Sequence, residues 1–223
     1  IRLISRSTED YQEAHGIGYA ADVNMIYSNS WGPTDDGKRL EGPGLLATAA
    51  REKAMREGRH GLGPIYVWAA GNGRPSGDNC NYDGWANSRY ALTIGAVDST
   101  GKQPWYSENC ASMFAVAPSS GQGQAITTTD LLGSPGTSTN DCTSRFGGTS
   151  AAAPIAAGVV ALVLEANRKL TWRDVQGVIA VSSKPIDTSN SNWQKTGAGL
   201  KFSHMYGFGL INAQAAVQQA KKW

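Results

Sequence analysis

The amino-acid sequence predicts an α/β fold built on a mostly parallel sheet. Helix-like and strand-like stretches alternate along its 223 residues, as strands joined by crossover helices do. The run 64–70 (PIYVWAA) is apolar without a break, the signature of a strand covered on both faces. After Gly147-Gly148-Thr149-Ser150 comes a long stretch of Ala, Val, Leu and Ile. With no polar face, it reads as a helix buried all round.

The elements follow in order. Residues 1–5 (IRLIS) read as a strand and 8–16 as a short helix. Residues 23–30 (VNMIYSNS) form a strand that runs into the turn Trp31-Gly32-Pro33. Residues 44–57 are helical, with Leu45, Leu46, Ala49, Ala50 and Ala54 on one stripe and Gly58 as the stop. Strands are expected at 64–70, 91–97 and 113–118. Residues 121–146 are rich in Gly, Ser and Thr and read as loops with a brief extended piece at 125–129. The apolar helix runs to about Asn167, and Pro154 places its start within a few residues of Ser150. Thr171-Trp172-Arg173-Asp174 is a Thr-x-x-Asp variant of the capping box and opens the next helix. Residues 212–223 form a last amphipathic helix. No internal repeat or low-complexity linker interrupts the chain, so 1–223 is expected to be one domain.

Composition narrows the function. Charged residues make up 17%, against about a quarter in typical domains. Seven tryptophans and an aromatic fraction of 9% argue against disorder. The net charge of +2 is no footprint for nucleic acid or an anionic membrane. The longest apolar stretch, 151–164, is broken by Pro154 and Gly158 and falls short of the ~20 residues that span a bilayer. The chain starts at Ile1 with no leader-like segment, and its cysteines, Cys80, Cys110 and Cys142, are odd in number. Both features lead us to expect that the natural protein continues beyond this sequence. A bridge between Cys80 and Cys110 would restrict the unfolded chain by about 3–4 kcal/mol; three free cytosolic thiols are the alternative.

Ser150 sits where a Gly-Gly loop meets the apolar helix. A hydroxyl there lies beside outward-facing N–H groups and the positive end of the helix dipole, which suits a nucleophile whose intermediate carries an oxyanion. The plain reading is an N-cap serine. Asn72, in Ala69-Ala70-Gly71-Asn72-Gly73, follows the apolar strand. Ligands bind beyond the carboxyl ends of parallel strands, and an amide N–H₂ can stabilise developing negative charge; an Asn-Gly turn is the plain reading. Asp35 and Asp36, Asp78 and Asp83, and Glu108 lie in loops. If Cys80 and Cys110 are joined, Asp78, Asp83 and Glu108 come together and require a cation, Ca²⁺ or a basic ligand; solvated turn acids are the alternative. His15, His60 and His204 fall in no base motif and read as structural.

Taken together these motifs resemble the subtilisin-like serine peptidases of the kexin/furin proprotein convertase family, nearer the fungal kexins. The stretches that carry the resemblance are YSNSWGPTDDG (27–37), GRHGLGPIYVWAAGNG (58–73), DNCNYDGWANS (78–88), PWYSENC (104–110), GGTSAAAPIAAGVVALVLEAN (147–167), LTWRDVQ (170–176) and SHMYGFGLINA (203–213). They are colinear and cover nearly the whole chain.

The resemblance implies a three-layer domain lacking its N-terminal part. It implies Ser150 as the nucleophile and Asn72 as the side-chain donor of the oxyanion hole. Asp35 and Asp83 match the pocket for a P1 arginine, the residue on the amino side of the cleaved bond, and Asp35, Asp78 and Glu108 match the ligands of a Ca²⁺ ion beneath it. Ser30, Trp31 and Gly32 match the edge along which substrate adds as a strand. Glu13, Glu41 and Trp85 match the recognition of P4, three residues before P1. The triad aspartate and histidine, the partner of Cys142 and a downstream β-rich domain are expected outside this sequence. Trp85 stands for a more usual tyrosine, Phe146 for a histidine, and the loop 131–140 is long. The activity implied is cleavage of secretory precursors after paired basic residues (Lys-Arg or Arg-Arg), in the late Golgi membrane or after secretion. A non-catalytic homologue serving as a binding or scaffold module is the alternative.

Overall fold

The structure, a computed structural model, describes residues 8–133, 136 and 141–223. The strand expected at 1–5 lies outside the described residues, as does most of the loop 131–140. Helix α1 (Asp10–Gly18) is followed by β1 (Ile26–Asn29), α2 (Leu45–Glu57), β2 (Ile65–Ala69), β3 (Ala91–Val97) and β4 (Met113–Pro118). Then come β5 (Ile126–Thr129), β6 (Cys142–Phe146), α3 (Thr149–Ala166), α4 (Trp172–Ser182), the short pair β7 (Gln194–Lys195) and β8 (Lys201–Phe202), and α5 (Ala213–Ala220).

Strands β1 to β4 form one parallel sheet in sequence order. All residues of β2 and β3 are buried, because helices cover both faces. Ile65, Val67 and Ala69 face α3, α4 and α5, and Tyr66 and Trp68 pack with residues of α1 and α2. Successive residues of a strand point to opposite faces, so the unbroken apolar run of β2 feeds two cores at once. The result is three layers. Where a strand ends, the loop emerges at the carboxyl edge of the sheet, and this edge carries Ser30 after β1 and Asn72 after β2.

Local signals set the helix ends. Thr171 and Asp174 cap α4 reciprocally, the Asp174 N–H donating to Thr171 Oγ1 at 3.1 Å and the Thr171 N–H to Asp174 Oδ2 at 2.9 Å. Asn212 caps α5 through Ala215 N–H at 3.0 Å. Helix α2 has no side-chain cap of its own at Gly44. Asp10, the first residue of α1, accepts the Leu46 and Ala47 N–H groups, each at 2.9 Å, and a Cβ at Gly44 would run into that carboxylate.

Three expectations are corrected. The buried side of α2 is Ala47, Arg51, Ala54 and Met55, while Leu45 and Leu46 are exposed; the neighbouring α1 packs against the small residues, and Ala50 meets Gly18. Helix α3 is not buried all round: Pro154, Gly158, Ala161, Leu162 and Glu165 form an exposed stripe, and the opposite side packs on the sheet. By length and composition alone, 18 residues at a mean hydropathy of 1.7, α3 is long and apolar enough to cross a membrane; its contacts with all four strands assign it to the core. In the region 121–146 the extended piece expected at 125–129 is β5, but β6, read as loop, pairs with it antiparallel.

Candidate active site

Ser150 is the second residue of α3, and Gly148 before it has φ +74°, a conformation that glycine adopts without strain. The same glycine leaves room for Asn72, whose Oδ1 would lie 3.0 Å from any Cβ there. Asn72 is held in one orientation. Its Oδ1 accepts the Thr149 N–H at 2.8 Å and the Thr149 hydroxyl at 3.1 Å, and that hydroxyl accepts the Gly71 N–H at 3.1 Å. With the carbonyl oxygen committed to protein donors, the Nδ2 amide is the end left to donate.

Ser150, Asn72, Ser30, Trp31, Gly32, Asp35 and Asp83 line one cleft of about 370 Å³ at the carboxyl edge of the sheet. Ser30 donates its hydroxyl to the Ser150 carbonyl at 3.0 Å, tying the β1 edge to α3. Trp31 is fixed by Trp68, whose indole N–H donates to the Trp31 carbonyl at 2.8 Å. The Asp83 carboxylate lies directly behind Gly32, where an added Cβ would approach it to 2.7 Å. It accepts the Trp85 and Ala86 N–H groups at 2.7 and 3.2 Å. Burial nevertheless pushes it up to about 6, with Asp35 and Asp78 adding repulsion. A cation placed beside it would favour its charged form.

Asp35, Asp78 and Glu108 present oxygen atoms within 4.8 Å of one another. Asp35 Oδ2 accepts the Asn72 N–H at 2.7 Å, and Glu108 Oε1 the Gly73 N–H at 2.8 Å. Each side of the Asn72 peptide is therefore bolted to an acid of the cluster. Glu108 is buried, which together with the neighbouring carboxylates pushes it up to about 8. Among the described residues no basic side chain pairs with any of the three. This all-oxygen, uncompensated donor set fits a hard divalent cation such as Ca²⁺. The Cys80–Cys110 disulfide, with Cα atoms 5.3 Å apart and both residues buried, ties together the loops that supply Asp78 and Glu108. Cys142 lies exposed on β6.

Glu13, Glu41 and Trp85 are not among the cleft's lining residues. Glu13 accepts the Thr8 hydroxyl at 2.8 Å. Glu41 is exposed and bridges through its backbone to Asp83. Trp85 is only 3% exposed, stacked on Trp68 with ring centres 5.0 Å apart. His15, His60 and His204 do not line the cleft either. Sequence reasoning assigned no role to Thr149; its only signal was its place in the Gly-Gly-Thr-Ser motif.

Comparison with known proteins accords with this geometry. The subtilase family pattern matches residues 3–209. The chain is 47% identical over its whole length to human proprotein convertase subtilisin/kexin type 6 and to kexin of Saccharomyces cerevisiae, and covers 22% and 27% of those proteins. It thus spans about a quarter of their length. Among solved structures, the serine protease of Aeromonas sobria superposes with a TM-score of 0.83 at 23% identity, covering 96% of this chain and 46% of that one. The Prenylagaramide maturation protease PagA superposes at 0.67 and 21% identity, covering 98% and 71%. At such identities the superpositions speak for the fold alone. The match over nearly every residue, at this level of identity to kexin and a proprotein convertase, means that the chain belongs to the subtilase family.

Proposed function

We propose that this chain carries the nucleophile, the oxyanion donor and the P1 pocket of a kexin/furin-type serine endopeptidase that cleaves secretory precursors after Lys-Arg or Arg-Arg. The observation that carries the reading is the convergence of Ser150, Asn72, Asp35 and Asp83 on one cleft. Ser150 Oγ attacks the scissile carbonyl, its proton passing to a general base, and Asn72 Nδ2 donates to the oxyanion. Collapse of the tetrahedral intermediate releases the amine and leaves an acyl-enzyme on Ser150, which water then cleaves. The base is assigned to a histidine outside these 223 residues, since among the described residues no histidine lines the cleft. The Asp35 and Asp83 carboxylates receive the P1 guanidinium, and Ser30, Trp31 and Gly32 hold the substrate backbone. Asp35, Asp78 and Glu108 would hold Ca²⁺, which supplies the positive charge that keeps the acids close and the Asn72 loop rigid. The buried disulfide accords with an oxidising compartment, and we place the full-length protein in the secretory pathway, at the late Golgi membrane.

The test is turnover of a Lys-Arg peptide by the full-length protein, with Ser150→Ala as control. Loss of turnover in the variant supports the reading; undiminished cleavage overturns it, and an inert wild-type protein that still binds the peptide leaves the scaffold role.

A further inference from the structure

Lys38-Arg39 is the one Lys-Arg or Arg-Arg pair in the sequence; the other basic pairs are Arg168-Lys169 and Lys221-Lys222. It lies in the loop between β1 and α2. Lys38, Arg39 and Leu40 are all exposed, Leu40 to 80%. Among the described residues, the N–H and carbonyl groups of Arg39 and Leu40 make no hydrogen bond. An extended peptide is bound through just these groups when it adds as a strand to an exposed edge. The peptide group between Arg39 and Leu40 is therefore free to be taken up.

The side chain of Arg39 is held only at the surface. Its Nε lies 3.1 Å from Asp36 Oδ2 and its Nη1 3.7 Å from Glu41 Oε1, and exposed pairs of this kind hold back a competing contact by about fivefold at most. Firmer bonds flank the pair. The Gly37 N–H donates to Asp78 Oδ2 at 3.0 Å, the Lys38 N–H to Asp36 Oδ1 at 2.9 Å, and the Glu41 N–H to the Tyr82 carbonyl at 3.2 Å. Asp35, just upstream, lines the Ser150 cleft and accepts the Asn72 N–H. A segment that builds a wall of a cleft cannot also thread it, so the Lys38-Arg39 loop is out of reach of its own Ser150.

We propose that the Arg39–Leu40 bond is a self-processing site, cut in one copy of this protein by the cleft of another. This rests on the endopeptidase reading above. In the attacking copy, Ser150 Oγ bonds to the Arg39 carbonyl carbon, and the bond from that carbon to the Leu40 nitrogen breaks. The hydroxyl proton passes through the general base to the leaving amine. Water then splits the ester, leaving a carboxylate on Arg39 and restoring Ser150. The cut parts Ser30, Trp31, Gly32 and Asp35 from Asn72, Asp83 and Ser150, and the Cys80–Cys110 bridge lies wholly in the second piece. The two acids of the P1 pocket then sit on separate pieces, joined by noncovalent contacts alone.

The experiment uses full-length Ser150→Ala protein as target and full-length wild-type protein as cutter, with a Lys-Arg reporter peptide in the same tube. Products are read by mass spectrometry and N-terminal sequencing. A fragment beginning at Leu40 is expected, forming at a rate proportional to the wild-type concentration. In the target, Arg39→Gln should lower that rate by about a hundredfold or more, and Lys38→Gln by about tenfold. Both side chains are exposed, and matching Tm values check that the variants fold. An Arg39–Leu40 bond that stays whole while the reporter is turned over overturns the proposal. So does a Leu40 terminus that forms without the wild-type protein, or one that survives Arg39→Gln. A reporter left uncleaved sinks the endopeptidase reading and this inference with it.

Discussion

Thr149 holds the side chain of Asn72 by two donors on one oxygen, the backbone N–H at 2.8 Å and the hydroxyl at 3.1 Å. The residue before Ser150 thus decides which end of the amide faces the cleft. Because the Thr149 hydroxyl also accepts the Gly71 N–H, its removal frees a neighbour of Asn72 as well. Thr149→Val should lower kcat about tenfold, the worth of one or two such bonds, with KM within twofold, and Thr149→Ser should restore most of it. Asn72→Ala should cost about 10²–10³ in kcat, a magnitude taken from the same deletion in a subtilisin. Steady-state kinetics of the full-length protein check both.

Asp83 stands behind Gly32 and is pushed up to about 6. Its charged form gains population as pH rises through that value, so attraction for a P1 guanidinium should strengthen from pH 5 to pH 7. The KM for Arg at P1 should fall over this window relative to that for Leu. Asp83→Asn should flatten the profile and weaken the basic preference by at least tenfold; an unchanged Arg-to-Leu ratio would count against the role.

Glu108 supplies a stability prediction with a definite sign. Its carboxyl ordinarily titrates near 4.5 and in the fold is pushed up to about 8. Between these values the folded state holds more protons than the unfolded one, so stability falls as pH rises. In chelator, Tm should therefore drop from pH 5 to pH 8. Added Ca²⁺ should reverse the drop, by about 2.7 kcal/mol at a hundredfold excess over Kd. Glu108→Gln should raise Tm in chelator at pH 8 and blunt the response to Ca²⁺.

The Cys80–Cys110 bridge spans 30 residues of sequence, and its loss should cost about 3–4 kcal/mol. Since it also ties the Asp78 loop to the Glu108 loop, the double change to serine should weaken Ca²⁺ binding as well as lower the denaturation midpoint. Chemical denaturation with and without Ca²⁺ separates the two effects.

The residues at the carboxyl edge were legible because the backbone leaves few choices there. An apolar strand followed by Gly71-Asn72-Gly73, and a Gly-Gly turn before Thr149-Ser150, mark element ends in sequence. An Asn-Gly turn and an N-cap serine fit the same local pattern, however, and the family resemblance chose between the readings. The capping pair Thr171 and Asp174 was legible for the same local reason. The rotation of α2 was not. Leu45 and Leu46 looked like core, but burial was decided by small residues facing α1, which drew Arg51 inward. A uniformly apolar helix cannot say which face its neighbours cover, so the exposed stripe of α3 was invisible. The strands β6, β7 and β8 carry too few apolar residues to show a period, and their pairing is a long-range fact.

Asp10 has a double duty, as first residue of one helix and cap of another. Such an arrangement acts as a linkage pin: a change that tilts α1 drags the start of α2 with it, and with α2 goes Arg51. Variation far from Ser150, at a helix that supplies no lining residue of its cleft, thereby has a mechanical route to that lining through Trp85, which Arg51 faces, and Trp31, which Trp85 meets.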